Sequence, residues 1–173
     1  YAWEGAGPAR MARSLNSMLM GFSRVETFVT AFIAKIDLKA GRATYCSAGH
    51  PPTMVIRPSS TPLGGGETRG GEVELLGCQS GVIGAFESMV YETGVFTFAP
   101  GDMLFMYTDG AIEARDRSGA FFGERRLRDL LLSVSGEGVS GICGKVLGEL
   151  DRFTESALDD DIALVSLEFL RGR

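Results

Sequence analysis

With 173 residues, 45% of them hydrophobic and 23% charged, the chain has the size of one domain and enough apolar residues for a core, so residues 1–173 read as a single domain. A net charge of −5 and a pI near 5.0 exclude a non-specific nucleic-acid binder, which needs clustered Lys and Arg to meet phosphates. No apolar run approaches a membrane span and no signal-peptide pattern opens the chain, so a soluble, cytoplasmic protein without membrane contact is expected.

Residues 1–7, "YAWEGAG", read as loose chain. Pro8 suits a first helical position, and Met11, Leu15, Met18 and Leu19 then recur at helical spacing as far as Gly21. Thr27 to Leu38, "TFVTAFIAKIDL", is rich in β-branched and aromatic residues; "KAGR" turns, and "ATYCSAG" runs back, which predicts a β-hairpin. "PTMVIRP" predicts another short strand. Pro58 to Gly71, "PSSTPLGGGETRGG", has the composition of a flexible surface loop, internal to the domain because strand-like chain resumes at "EVELL". An irregular glycine-punctuated stretch, "GCQSGVIGAFES", precedes the predicted strands "VYETGVFTF" and "DMLFMYT", which the turn "APGD" separates. Two helices follow, one carrying Leu127, Leu130, Leu131 and Val134, the other Val139, Ile142, Val146, Leu150 and Phe153. "DDDIALVSLEFL" closes the chain as a last strand.

Strands come first and helices cluster later, which favours α+β over alternating βαβ units. "LFM" is apolar on both faces, and a sheet buried on both faces needs a layer on each side. Two packed sheets with helices outside satisfy that need. Cys46, Cys78 and Cys143 are odd in number, far apart and set in or beside apolar runs, so they read as small core residues in a reducing compartment. Arg125, Arg126 and Arg128, the densest basic group, fall on a predicted helix and read as a solvated face, with an anion site as the alternative.

Acid groups stand at the ends of two apolar strands. Asp109 follows "LFMYT", and Asp159-Asp160-Asp161 precede "IALVSLEFL". Singly, the first reads as an Asp-Gly turn and the second as a solvated loop. If the two strands are antiparallel neighbours, the carboxylates converge, and their repulsion requires protons or cations. Mg²⁺ or Mn²⁺, held by a few carboxylates and waters, fits that need, and Gly110 allows close backbone approach. Two such ions can bridge a water and clamp a phosphoryl group. His50, the only histidine, sits in "CSAGHPP" and reads either as structural or as a general acid. Ser47 lacks a nucleophile-elbow motif, and phosphate-loop and dinucleotide signatures are absent.

"PARMARSLNSML", "TFVTAFIAKIDLKAGRATYCSAGHPP", "APGDMLFMYTDGAIEARD", "FGERRLRDLL" and "DDDIALVSL" together resemble the SpoIIE/RsbU branch of PPM-type (type 2C) metal-dependent serine/threonine phosphatases. The resemblance covers nearly the whole chain. It implies an α-β-β-α sandwich, two Mn²⁺ or Mg²⁺ ions between the sheets, and hydrolysis of phosphoserine or phosphothreonine by a metal-bridging water. The partner it implies is a phosphorylated signalling protein such as an anti-sigma-factor antagonist. By the same resemblance Asp109 of "YTDG" and Asp160 of "DDI" match metal ligands, with Asp161 the alternative to Asp160 and Gly110 the family's glycine. His50 falls beside the site, where more distant relatives carry an acid associated with a weaker metal site.

The chain departs from the family pattern in two places. Ala163 stands where a threonine is usual, and the chain begins at the helix "GAGPARMARSLN", without the "GD-SGHG"-like motif that supplies an aspartate and a glycine to the ions. The expectation is the later portion of a domain, weakly active or inactive alone, with exposed sheet edges that favour dimers or strand swapping. The competing expectation, from another class, is a non-catalytic phosphatase-like interaction module.

Overall fold

Pro8 and the apolar spacing after it produce helix α1, Pro8–Phe22, and the alanines of that helix decide how closely it packs. A computed structural model of the chain describes residues 5–22, 27–58, 71–77, 80–155 and 160–170. The chain divides into two compact units, Tyr1–Pro52 with Leu76–Ala99, and Thr53–Leu75 with Pro100–Arg173.

In the first unit β1 (Ala31–Asp37) and β2 (Arg42–Ala48) form the predicted hairpin, in register from Ala31↔Ala48 to Asp37↔Arg42. Asp37 shapes its turn, Oδ1 accepting from the N–H groups of Lys39 (3.1 Å) and Ala40 (3.0 Å). Ala9 and Ala12 of α1 pack in one cluster with Cys46 and Ala48 of β2, Ile83 and Tyr91, because only small side chains let the helix backbone come near the sheet. On the other side of β2 runs β5 (Gly94–Thr97), antiparallel, completing the order β1-β2-β5.

Two predicted strands are shorter than their apolar patterns. Val29 lies before β1 and makes only an isolated bridge, with Ile83 (N···O 2.8 Å in each direction). Residues 90–93, expected to begin a strand, go instead to tertiary contacts. Tyr91 is 3% exposed and its hydroxyl reaches both Asn16 Oδ1 and the Val82 carbonyl, at 3.1 Å each. Asn16, on α1, also accepts from Gly84 N–H (2.7 Å) and donates to the Phe86 carbonyl (3.0 Å). One buried amide therefore satisfies an irregular segment that has no ladder of its own.

The second unit is built on β3 (Thr53–Arg57), β4 (Glu72–Leu76), β6 (Met103–Tyr107) and β7 (Leu164–Glu168), in the order β4-β3-β6-β7. The β3–β6 and β6–β7 pairs are antiparallel. As its sequence requires, β6 is buried on both faces: Met103, Leu104, Phe105 and Tyr107 are each no more than 2% exposed. Met54, Ile56, Met103, Phe105 and Tyr107 meet Leu127 and Leu131 of α3 (Gly123–Val134) and Ile142, Val146 and Leu150 of α4 (Val139–Thr154) in one core. Two antiparallel sheets with helices make this the expected α+β chain.

Two short elements escape the sequence reading: α2 (Gly110–Glu113) and a 3-10 turn, Ser135–Glu137. Residues 59–70 of the predicted loop, and Cys78, lie outside the described residues. Among the described residues Cys46 and Cys143 take part in no disulfide, and the first is fully buried. The arginine cluster is partly committed to packing rather than freely solvated. The Arg126 guanidinium lies 4.8 Å from the centre of the Phe153 ring and donates to the Phe121 carbonyl (2.9 Å), and Arg128 reaches the Val73 carbonyl (3.4 Å). No helix among the described residues is long and apolar enough to cross a membrane.

Candidate metal centre

Strand β6 ends at Tyr107 because the next residues turn into a helix. Asp109 stands at the N-cap of α2, its Oδ1 accepting from Gly110 N–H (3.1 Å) and its carbonyl from Ile112 and Glu113 N–H (2.9 Å each). Ala111 and Ala114 anchor this single turn in the core of the second unit. The chain then makes a tight hairpin in which Asp116 Oδ1 accepts from Ser118 Oγ (2.6 Å), Ser118 N–H (2.8 Å) and Ala120 N–H (3.0 Å). These bonds, the serine hydroxyl foremost, hold the Asp116 carboxyl below the usual aspartate range.

The second acidic segment arrives from the opposite direction. β7 pairs with β6 through Tyr107↔Leu164, so the residues before Leu164 lie beside those after Tyr107. Thr108 carries the junction. Its N–H donates to the Ala163 carbonyl (3.1 Å), its Oγ1 donates to the Asp161 carbonyl (3.1 Å), and the same Oγ1 accepts from Ala163 N–H (2.9 Å). Gly110 is pressed against the incoming chain: a Cβ there would lie 2.7 Å from the Asp161 carbonyl oxygen and 3.4 Å from Asp160 Cβ. Only glycine permits this approach. Asp160 Oδ1 accepts from Asp161 N–H (2.8 Å).

Asp109, Gly110, Asp160 and Asp161 thus come together at one end of the β6–β7 pair, and the three carboxylate residues are exposed. It is the side chain of Asp160 and the main chain of Asp161 that stand nearest Gly110. Carboxylate oxygens are the donors that Mg²⁺ and Mn²⁺ prefer, and Mg²⁺ commonly takes about one or two from a protein and completes its shell with water. The donor chemistry and the glycine cradle fit one side of such a centre. They do not complete a two-ion cage, since no group of three or more His, Cys, Asp or Glu among the described residues is placed to hold a metal. Asp159 lies outside the described residues.

His50 belongs to the first unit, where it follows β2 and its carbonyl accepts from Ser47 Oγ (3.3 Å). Thr108 was missed by sequence reasoning because a threonine between a strand and a turn carries no signal of its partner some 55 residues on. The start of α2 did have a signal, an acidic N-cap before "GAIE". Tyr107 adds an unexpected feature. Its hydroxyl is buried without a hydrogen-bond partner among the described residues, and burial, with the Glu124 charge second, pushes its ionisation far up.

A family model described as Stage II sporulation protein E (SpoIIE) matches residues 1–170. Among named relatives, protein IcfG of Synechocystis sp. is 27% identical over 143 residues, covering 81% of this chain and 20% of that protein. Phosphoserine phosphatase RsbU of Bacillus subtilis is 23% identical over 163 residues, covering 94% of this chain and 45% of that protein. The chain therefore spans less than half the length of these relatives. Among solved structures, the SiaA-PP2C domain of Pseudomonas aeruginosa superposes with a TM-score of 0.78 at 19% identity, over 96% of this chain and 64% of that one. The Mn-presoaked phosphatase domain of SpoIIE from Bacillus subtilis gives 0.69 at 16% identity, over 98% and 69%. At such identities the structural likeness speaks for the fold, while the sequence match over nearly the whole length speaks for the lineage. The chain belongs to the SpoIIE family, in the SpoIIE/RsbU-like branch of PPM-type phosphatases.

Proposed function

We propose that this chain carries one side of the metal centre of a PPM-type serine/threonine phosphatase. Asp109 and Asp160 are the ligands, Gly110 admits the Asp160–Asp161 segment close to Asp109, and Asp161 acts through its main chain, its carboxylate being the alternative to that of Asp160. The observation that carries this reading is the close approach of Asp160 Cβ to Gly110, 3.4 Å from where a Cβ would stand, with Asp109 next in the chain. Mn²⁺ or Mg²⁺, when bound, supplies charge for the phosphoryl oxygens and an acidified water as nucleophile. The chain's own contribution is to hold two carboxylates at the end of a buried strand pair, where their repulsion favours a cation. His50, in the first unit, stays a candidate for proton transfer on the strength of the resemblance.

The name phosphoserine phosphatase, carried by the relative RsbU, supports phosphoserine as the group attacked, and the family's link to sigma-factor regulation makes a phosphorylated anti-sigma-factor antagonist in the bacterial cytoplasm the proposed substrate. With two carboxylates in place, the 173-residue chain alone holds metal weakly and turns over slowly. Among the described residues β7 pairs on one side only and exposes Val165 (53%) and Leu167 (37%), which favours pairing with a second copy or exchange of strands.

The absence of a three-residue metal-holding group among the described residues supports a second reading, a phosphatase-like module that binds a signalling partner without turnover. A Mn²⁺ titration of the chain and of Asp109→Asn, followed by p-nitrophenyl phosphate hydrolysis, separates the two. Mn²⁺ binding that weakens in Asp109→Asn supports the metal centre; no binding by the parent chain leaves the module. Hydrolysis as fast as that of intact relatives would overturn the expectation of weak activity.

A further inference from the structure

We infer that Thr108 is a positioning residue for the metal centre, its hydroxyl setting where the Asp160 carboxylate stands relative to Asp109. The inference rests on the metal-site reading above. The Thr108 side chain makes two bonds to one short segment, donating to the Asp161 carbonyl (3.1 Å) and accepting from Ala163 N–H (2.9 Å). Its own N–H makes a third bond, to the Ala163 carbonyl (3.1 Å), which extends the β6–β7 ladder and is independent of the side chain. By itself the ladder bond reaches no further than the Ala163 carbonyl. The hydroxyl reaches past it and fixes Asp161, the neighbour of Asp160. It is the Asp161 carbonyl that lies in the space a Cβ of Gly110 would fill, so the hydroxyl and the missing methyl act on the same atom from two sides. Asp109 is covalently next to both Thr108 and Gly110. Thr108 thus adds a side-chain tie between two acidic segments that are distant in sequence and repel each other, beyond the main-chain ladder that joins them.

The test compares Thr108→Val, which keeps the shape and loses both hydroxyl bonds, with Thr108→Ser, which keeps the hydroxyl. Mn²⁺ affinity is read from paramagnetic broadening of the Gly110 and Asp161 amide signals, and hydrogen exchange is read at Ala163 N–H. Thr108→Val should bind Mn²⁺ roughly tenfold more weakly, the scale of losing a group that orients a metal ligand, and should exchange Ala163 N–H faster. Thr108→Ser should stay within about threefold of the parent chain. Thr108→Ala, which also lacks the hydroxyl, serves as the same comparison if the valine variant does not fold. Equal affinity in the parent and a folded hydroxyl-free variant overturns the inference while leaving the metal site standing, as does equal weakening in the valine and serine variants. No Mn²⁺ effect in the parent chain overturns the metal-site reading, and the inference with it.

Discussion

Replacing Gly110 by alanine tests the closest contact at the acidic junction. The new methyl carbon would stand 2.7 Å from the Asp161 carbonyl oxygen and 3.3 Å from its carbon. Carbon–oxygen contacts settle at about 3.3–3.6 Å, so the methyl is about 0.6 Å too close to a main-chain atom that cannot swing aside. Thr108 holds that carbonyl from the other side at 3.1 Å. Overpacking of this kind costs about 1–3 kcal/mol, and the better helix propensity of alanine returns at most about 1 kcal/mol, less in a first turn. The expected net loss is roughly 1–2 kcal/mol, with Tm falling about 2–4 °C for each kcal/mol in a chain of this size. Amide shifts of Asp160 and Asp161 should move and Mn²⁺ broadening there should weaken. Gly144 of α4 is the control, since a Cβ there meets nothing within 4 Å, and Gly144→Ala should stabilise by about 0.5–1 kcal/mol. A Gly110→Ala chain that melts as high as the parent, with its Asp160 and Asp161 signals unmoved, would refute the close approach.

Asn16→Ala removes the partner of Gly84 N–H, the Phe86 carbonyl and one Tyr91 contact, and should cost about 2–4 kcal/mol in urea denaturation; a loss below about 0.5 kcal/mol contradicts the network. Tyr107→Phe deletes a buried hydroxyl without a partner among the described residues, so stability should stay within about 1 kcal/mol of the parent or rise, and a loss beyond about 2 kcal/mol would reveal a partner for it. Asp116 has a depressed folded pKa, so its contribution is complete above the unfolded value of about 3.9 and is lost as pH falls through the folded one. The Ser118 and Ala120 amide signals should titrate with a midpoint below about 3.9, and a midpoint at or above it refutes the hydrogen-bonded turn.

Local patterns in the chain were sufficient for the elements that are regular. Pro8 with its apolar spacing marked α1, β-branched and aromatic content with a turn marked the β1–β2 hairpin, and the leucine and valine periods marked α3 and α4. These signals are legible because a helix or a strand repeats with a fixed period and its apolar face must be buried. The same local logic overextended two strands. Val29 and Tyr91 look like strand residues, yet each makes its bonds with a partner far along the chain, Ile83 and Asn16. No window of sequence contains such a bond.

The candidate site divides in the same way. That Asp109 and Asp160 each end an apolar strand is a property of the sequence, and so is the family resemblance that marked them. That the two meet was decided only when β6 paired antiparallel with β7, in a register that sets Tyr107 against Leu164. Register is a tertiary quantity, because a slip of one residue would turn every side chain of the strand to the other face. The roles of Thr108 and Gly110 likewise exist only in three dimensions: one supplies a hydroxyl and the other an absent methyl, and both act on a carbonyl 51 to 53 residues further along the chain.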